Sequence, residues 1–441
     1  MALKPRPATP LRVTLDMAPT LVDHRNGPIF SIEAAPAART DPAFAHVHAT
    51  TGTSRRLRGR PARLLTGGSA LRWEQAYAKA VGEAVERHCV LDWTPRVRVA
   101  RAHDLDRNID VDAFDLFHAE QRRAPGFAFE PLRADSLIGW VPAYSLTRRQ
   151  SSFLPATLAH LYHQPCTPAD HFDLCPVSGY ACGNTLEEAL LRGLCEVAER
   201  DALMLTWAQR LAVPALDLAS FDSAAVRDAL GRFAHCPVRL YCADLRTDAG
   251  IPVVLVMMTS SEPGWPAAAV ATAADPSTEH ALIKALGELS NGRALVQANG
   301  RRGLPRTPAQ VQLPEDHGLF YAAPQALGLL DLWLHPRRTQ RAPTETQESV
   351  KTCVLSTLED CVQGLARCGL EALAVEITSP QAAAAGLHVV KVVVPGMLPI
   401  DFGSSGKHLG GRRLYEAPAR MGYAQFATTP GRLNTLPHPL P

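Results

Sequence analysis

Apolar positions recur at helical spacing over two long stretches of this chain. The first covers about residues 72–91, with Trp73, Ala76, Tyr77, Ala80, Ala84 and Val85 along it. The second starts near Thr185 and continues through EEALLRGLCEVAERDALMLTW. Thr185, with Glu188 three residues on, matches the capping-box signature of a helix start. Two further helices are expected over about residues 277–297 and 349–367. Short apolar runs bounded by turn residues predict strands at SLIGWVPAYSL, VRLYCAD, IPVVLVMM, AAAVATAA, LEALAVEI and LHVVKVVV. Residues 1–60, rich in proline and alanine, show few periodic segments. Residues 300–345, rich in proline and arginine, read as a long connection. Mixed strands and helices imply an α/β (α+β) architecture. No solenoid period is visible, and the one internal echo is a repeated acidic helix.

Composition narrows the class. The 441 residues are 46% hydrophobic and 20% charged, which suits a globular chain with a sizeable core. A formal net charge of +2 argues against a dedicated nucleic-acid binder, so no nucleic-acid partner is expected. The amino terminus lacks the continuous apolar stretch of a signal peptide, and the longest apolar runs are too short to span a bilayer. The ten cysteines are scattered without a CxxC pair. A cytoplasmic, reduced, zinc-free protein without membrane association is the expectation.

The echo consists of GEAVER at 82–87 and CEVAER at 195–200. Each places two glutamates one helical turn apart, followed by an arginine. Paired acids usually sit on a solvated face, but the second helix also carries Leu190, Leu191, Leu194, Cys195, Val197, Ala198, Leu203, Met204 and Leu205. A helix apolar on nearly every side is expected to be buried. At about 100° per residue, Glu188, Arg192, Glu196 and Glu199 fall within one arc of roughly 80°. Lys79, Glu83 and Glu86 share a face of the first helix in the same way. Two unit charges about 4 Å apart repel by roughly 4 kcal/mol at an effective dielectric near 20. Carboxylates meeting in such surroundings need cations. Arg87 and Arg200 supply some charge, and a divalent ion bound to phosphates supplies more. Oxygen ligands suit Mg2+, whereas no His or Cys stands at ligand spacing beside these glutamates. The segment SGYACGNT, with glycines at 179 and 183, leads into the second helix and lets backbone N–H groups approach an anion. GSSGKH at 403–408 lacks the spacing of a phosphate loop, and the nearby DFG has no kinase motifs ahead of it.

These residues resemble the YcaO family from about residue 60 to the end of the chain. The family pattern SxxxExxER appears as KAVGEAVER, with Lys79 in place of serine. The pattern GN(T/S)xxEAxxxxxxExxER appears within SGYACGNTLEEALLRGLCEVAER, and a third region appears as ALIKALGELSNGR. There Asn291 replaces a glutamine and Arg293 matches an arginine. The resemblance implies a mixed fold around a non-Walker ATP site, with a catalytic domain over residues 61–441 and an extension facing a partner over residues 1–60. Carried over residue by residue, Glu83, Glu86, Glu188 and Glu199 become Mg2+ ligands. Lys79, Asn184, Glu196, Arg200 and Arg293 line the nucleotide. The two glutamate helices are then expected to face each other across one Mg-ATP cluster. The family's GKG ahead of the first helix is replaced by GGSA at 67–70, with Ser69 where the lysine falls, and Lys79 is expected to reach into the same space.

The chain ends LNTLPHPLP, a PxPxP pattern over residues 437–441, which resembles the azoline-forming cyclodehydratases of the family. A polyproline tail is stiff and loses little entropy on ordering. The resemblance implies that the Pro441 carboxylate assists proton transfer. It further implies conversion of Cys, Ser or Thr residues of a ribosomally made precursor peptide to thiazolines or oxazolines. A separate E1-like, leader-peptide-binding partner is expected, because no cysteine tetrad or small leader-capture domain is visible in the sequence. A flavin dehydrogenase of the same pathway and a homodimer complete the expected partners. The rival readings are a YcaO enzyme making thioamides or macroamidines, and a scaffold protein that keeps the fold without the chemistry.

Overall fold

The computed structural model describes the chain except for Ala2, Ala37, residues 55–62, 106–109, 300–302, 342–352, 404–405 and Pro441. The expected domain boundary at residue 60 therefore lies outside the described residues. In chain order the strands are β1 (Ile29–Ala34), β2 (Ala45–Thr51), β3 (Leu65–Ala70), β4 (Arg98–Ala100), β5 (Ile138–Ser145), β6 (Gln150–Pro155) and β7 (Tyr180–Gly183). They continue with β8 (Ala215–Asp217), β9 (Arg239–Asp244), β10 (Val253–Thr259), β11 (Ala268–Ala274), β12 (Thr339–Arg341), β13 (Leu373–Glu376) and β14 (His388–Val393). The chain divides into two compact units. One comprises Met1–Pro36, Ala45–Val197 and Lys351–Met397; the other comprises Ala37–Phe44, Ala198–Val350 and Leu398–Pro441.

The first unit holds two sheets. β1, β2 and β3 form an antiparallel meander, and the first glutamate helix, Trp73–Asp92, follows β3 and packs back upon it. Ala76, Ala80, Val81, Ala84 and Val85 make the buried stripe of that helix. Close approach requires Gly68, because a Cβ there would lie 2.2 Å from the carbonyl oxygen of Ala76. The second sheet runs β4-β5-β13-β14-β7, with β6 paired to β5. β7 feeds directly into the second glutamate helix, Leu186–Gln209, which carries the chain from one unit into the other.

The second unit is built on the sheet β11-β10-β9-β8-β12, antiparallel except where β12 lies parallel to β8. β10 is buried from Val253 to Met258, as its unbroken apolar run requires of a central strand. Helix Thr278–Leu289 covers β10 and β11 with Ala281, Leu282, Ala285, Leu286 and Leu289.

Three expectations need correction. The helix expected over 277–297 is two helices, Thr278–Leu289 and Gly292–Asn299, broken where the Asn291 carbonyl accepts from Leu295 N and restarts the ladder. Gly292 there lies so close to β10 and β11 that an added Cβ would meet Ala269 Cβ at 2.8 Å and Met258 Cε at 2.9 Å. Residues 300–345 are not a plain connection: they include helix Pro314–Tyr321, with buried His317, Leu319, Phe320 and Tyr321, and the strand β12. Residues 1–60, read as aperiodic, supply helix Leu11–Met17, β1 and β2.

Candidate functional site

In the first unit, the glutamate helices bring three carboxylates into one partly buried cluster. Glu83 accepts from Gly67 N at 3.0 Å, and its other oxygen lies 3.9 Å from Arg87 Nη2. Glu86, one turn on, has a side chain 13% exposed and lies 3.5 Å from Arg87 Nη1. Burial is the main cause that pushes the Glu86 carboxyl up to about 8. Arg87 opposes this most, Glu196 and Glu83 push further upward, and Lys391 opposes again. Glu196 accepts from Gly179 N at 3.0 Å. These three carboxyl groups share one electrostatic neighbourhood with the Arg87 and Lys391 cations. Sequence periodicity put Glu83 and Glu86 on a common face, and the structure brings Glu196 to them.

Lys391 stands in the electrostatic neighbourhood of this cluster, and the sequence reading missed it. It is fully buried in β14, donates to Pro176 O and to Ser178 O at 2.7 Å, and stands 4.1 Å from the centre of the Tyr180 ring. Burial holds its ammonium below the ordinary lysine value. A lone lysine inside the apolar run LHVVKVVV was the available signal, hidden by reading the run only as a strand.

The glycine segment is spent differently from the expectation. Gly179 has φ +87°, and a Cβ there would lie 2.2 Å from Val392 O, so only glycine fits between β14 and the helix. Its N–H serves Glu196. Asn184 N donates to Glu188 Oε2 at 3.1 Å, while Glu188 N donates to Thr185 Oγ1 at 3.2 Å, which establishes the expected helix cap. The backbone donors at 179 and 184 thus face glutamates.

Glu188 also accepts from Thr9 N at 2.6 Å. Lys4 N donates to Glu187 at 2.5 Å, and the Asn184 amide donates to Thr14 Oγ1 at 2.9 Å. Residues 4–14 therefore lie against the start of the second glutamate helix. Lys79 donates to Ser69 O at 2.8 Å, so its ammonium stands beside the residue that occupies the GKG lysine position.

In the second unit, buried Glu199 accepts from Thr272 Oγ1 at 2.7 Å and Ala274 N at 3.2 Å, with Arg200 Nη1 at 3.6 Å. Arg293 pairs with Asp41 at 2.6 Å, donates to Thr40 Oγ1 and Gly264 O, and lies over Trp265. Asp201, next to the second ER pair, is fully buried against Arg413, whose Nη1 reaches Asp248 at 2.8 Å. The sequence reading assigned none of these three a role.

The tail is anchored through Leu440; Pro441 lies outside the described residues. Asn434 N donates to Ala208 O, Trp207 Nε1 to Leu436 O at 3.0 Å, and the Tyr321 hydroxyl to Pro437 O at 2.7 Å. His317 and His438 stack with centroids 4.0 Å apart. His317 Nδ1 donates to His438 O, and His438 Nε2 donates to Asp401 O while Nδ1 accepts from Leu440 N.

Oxygen-only donors around a partly buried anionic cluster match a hard divalent ion carrying phosphates, so the residues present fit Mg2+ and a nucleotide. Among the described residues, no helix is long and apolar enough to cross a membrane.

The family model described as YcaO cyclodehydratase, ATP- and Mg2+-binding, matches residues 67–398. A solved heterocyclase in complex with substrate and cofactor is similar with a TM-score of 0.78 and 24% identity, over 100% of this chain and 59% of that one. YcaO from Methanopyrus kandleri, bound with AMPPCP and Mg2+, is similar with a TM-score of 0.60 and 19% identity, over 88% and 92% of the two chains. An uncharacterized protein in the tfuA 3' region of Rhizobium leguminosarum bv. trifolii is 27% identical over 292 residues, 62% of this chain and 64% of that protein. The chain thus spans less than two thirds of the heterocyclase and of the Rhizobium protein. With the family model covering most of its length, the chain belongs to the YcaO family of ATP- and Mg2+-binding cyclodehydratases.

Proposed function

We propose that the chain converts Cys, Ser or Thr residues of a ribosomally made precursor peptide into thiazolines or oxazolines. The observation that carries this reading is the partly buried cluster of Glu83, Glu86 and Glu196, in which burial and the neighbouring carboxylates resist ionisation of Glu86, a penalty that a bound divalent ion would relieve. The substrate side chain loses its S–H or O–H proton and attacks the preceding backbone carbonyl carbon, and this new C–S or C–O bond closes the ring. The former amide oxygen then departs as phosphate while the amide nitrogen gives up its proton to form the C=N bond. ATP with Mg2+ supplies the phosphoryl group that makes this oxygen a leaving group.

The protein's part is binding and orientation. Glu83, Glu86, Glu188 and Glu199 are assigned to the metal, and Lys79, Asn184, Glu196, Arg200 and Arg293 to the nucleotide. Lys79 takes over the missing GKG lysine's phosphate contact, a role supported by its bond to Ser69 O. Arg87 and Lys391 hold the carboxylate cluster in place when its charge is greatest. The tail resembles that of azoline-forming members, in which its terminal carboxylate moves a proton; here the segment through Leu440 is already pinned. A separate leader-binding partner, a flavin dehydrogenase acting downstream, a homodimer and a cytoplasmic location belong to the same proposal.

Mass spectrometry of a precursor peptide incubated with the chain, its partner and Mg-ATP tests this reading. Loss of one water per modified Cys, Ser or Thr, placed by fragmentation at that residue and its preceding carbonyl, is the expected result. Exchange of oxygen for sulfur would instead make the chain a thioamide former, and water loss at an amine-to-carbonyl cross-link would make it an amidine former.

A further inference from the structure

In the first unit, the loop between helix Ala156–Ala159 and β7 gathers a second set of metal-binding side chains, chemically unlike the glutamate cluster. His163, Cys166 and Asp170 each offer a ligand atom, and these atoms lie within 4.8 Å of one another. The His163 side chain is 7% exposed, and its Nε2 is buried with no hydrogen-bond partner among the described residues. That nitrogen lies 3.8 Å from Asp170 Oδ2, too far for a hydrogen bond. Tetrahedral bonds of about 2.0–2.3 Å would place ligand atoms roughly 3.3–3.6 Å apart, so a small closure completes the set.

Asp170 is held rigidly for such a role. Its Oδ1 accepts from Gly139 N at 2.7 Å, and its Oδ2 accepts from Cys166 N at 2.6 Å and Thr167 N at 3.1 Å. Three bonds leave one of a carboxylate's roughly four acceptor positions. Cys166 is exposed, and its Sγ makes only a 4.0 Å contact with Gln164 O among the described residues. Gly139 packs beside both ligands: a Cβ there would stand 3.5 Å from Cys166 Sγ and from His163 Cε1, in ordinary contact, while Val97 Cγ1 at 2.7 Å is what excludes one.

We propose that His163, Cys166 and Asp170 bind a borderline-soft divalent metal, Zn2+ above all, with a fourth position open to solvent. A mixed nitrogen, sulfur and oxygen donor set suits Zn2+ and disfavours Mg2+. The spacing H-x2-C-x3-D escapes a search for paired cysteines, which is why the sequence pointed to a zinc-free chain. Bound there, the ion ties the loop ahead of β7 to β5.

The test uses the full chain, stripped of metal with a chelator and titrated with Co2+ as a spectroscopic stand-in. One equivalent is expected to bind with a near-ultraviolet thiolate-to-cobalt charge-transfer band that Zn2+ abolishes and excess Mg2+ does not. Cys166→Ser is expected to lose the band and at least tenfold in affinity while keeping the wild-type circular dichroism, since its side chain is exposed. His163→Asn is expected to weaken binding similarly. A wild-type chain with no such band, or a Cys166→Ser chain that keeps it, overturns the site.

Discussion

Lys391 donates to two backbone carbonyls and lies over the Tyr180 ring, contacts that an apolar side chain cannot replace. Replacing it with methionine keeps the length of the side chain but strands the carbonyls of Pro176 and Ser178. Leaving buried acceptors unpaired costs about 1–3 kcal/mol each, so Lys391→Met should lose on the order of 3 kcal/mol, read as a lower urea midpoint at unchanged slope. Lys79 makes a different prediction. It is solvent-exposed and its bond to Ser69 O adds little to folding, so Lys79→Ala should raise the KM for ATP about tenfold with little change in melting temperature. An unaltered KM would deny Lys79 the phosphate contact. Residue spacing alone made the glutamates legible, because a period of 3.6 states which side chains share a face. It could not foresee that Glu188 also holds Thr9 N, or that Arg293 pairs with Asp41, because those partners lie 179 and 252 residues away.

The tail shows how an element becomes fixed. The tail's His438 and the His317 it stacks on are neutral: protonating His438 Nδ1 destroys the bond from Leu440 N, and protonating His317 Nε2 destroys the 3.4 Å contact from Gly403 N. Burial pushes His317 down to about 4 and His438 well below its ordinary value, while burial raises Asp401 to about 6. Lys407 further disfavours charge on both rings, and Arg200 does so at His438. As pH falls from 6.5 towards 4, the opened state takes up two imidazole protons, on His438 and His317, that the docked state refuses; below about 6 the docked state keeps one extra proton on Asp401. The imidazoles outnumber the carboxyl, so tail docking is fully present above that window and weakens on acidification. Trp207, bonded to Leu436 O, should report this as a fluorescence change between pH 7 and 5 that His438→Gln shifts or removes. Strands and long helices were legible as elements. The break at Asn291 was not, because the apolar pattern continues through it and tertiary contact of Gly292 with β10 and β11 decides the matter.

At the scale of the whole molecule, each unit carries its own polar core. In the second, Asp201 takes two bonds from Arg413 Nε at 2.9 Å, and Asp248 joins Arg413 and Arg420. Removing one partner of a buried ion pair typically costs about 3–5 kcal/mol, and Arg413→Ala should do so by leaving buried Asp201 without its cation while Asp248 keeps only Arg420. Chemical denaturation of that variant measures it; a loss under 1 kcal/mol would mean that solvent reaches the network. Nothing in the local sequence pairs position 201 with position 413, and the division of the chain into two interleaved units was equally illegible for want of local signals. The family motifs, by contrast, lie in single continuous stretches, which is why the fold class and the acidic cluster could be read together.

Calorimetric titration of Mg-ATP into the wild-type chain and into Glu86→Gln tests the central claim most directly, because glutamine keeps the shape but cannot ionise to meet a cation. Saturable wild-type binding, weakened at least tenfold (about 1.4 kcal/mol) in a variant that melts like the wild type, is the predicted result. Equal binding by the two chains would contradict the assignment of the glutamate cluster to the nucleotide's metal.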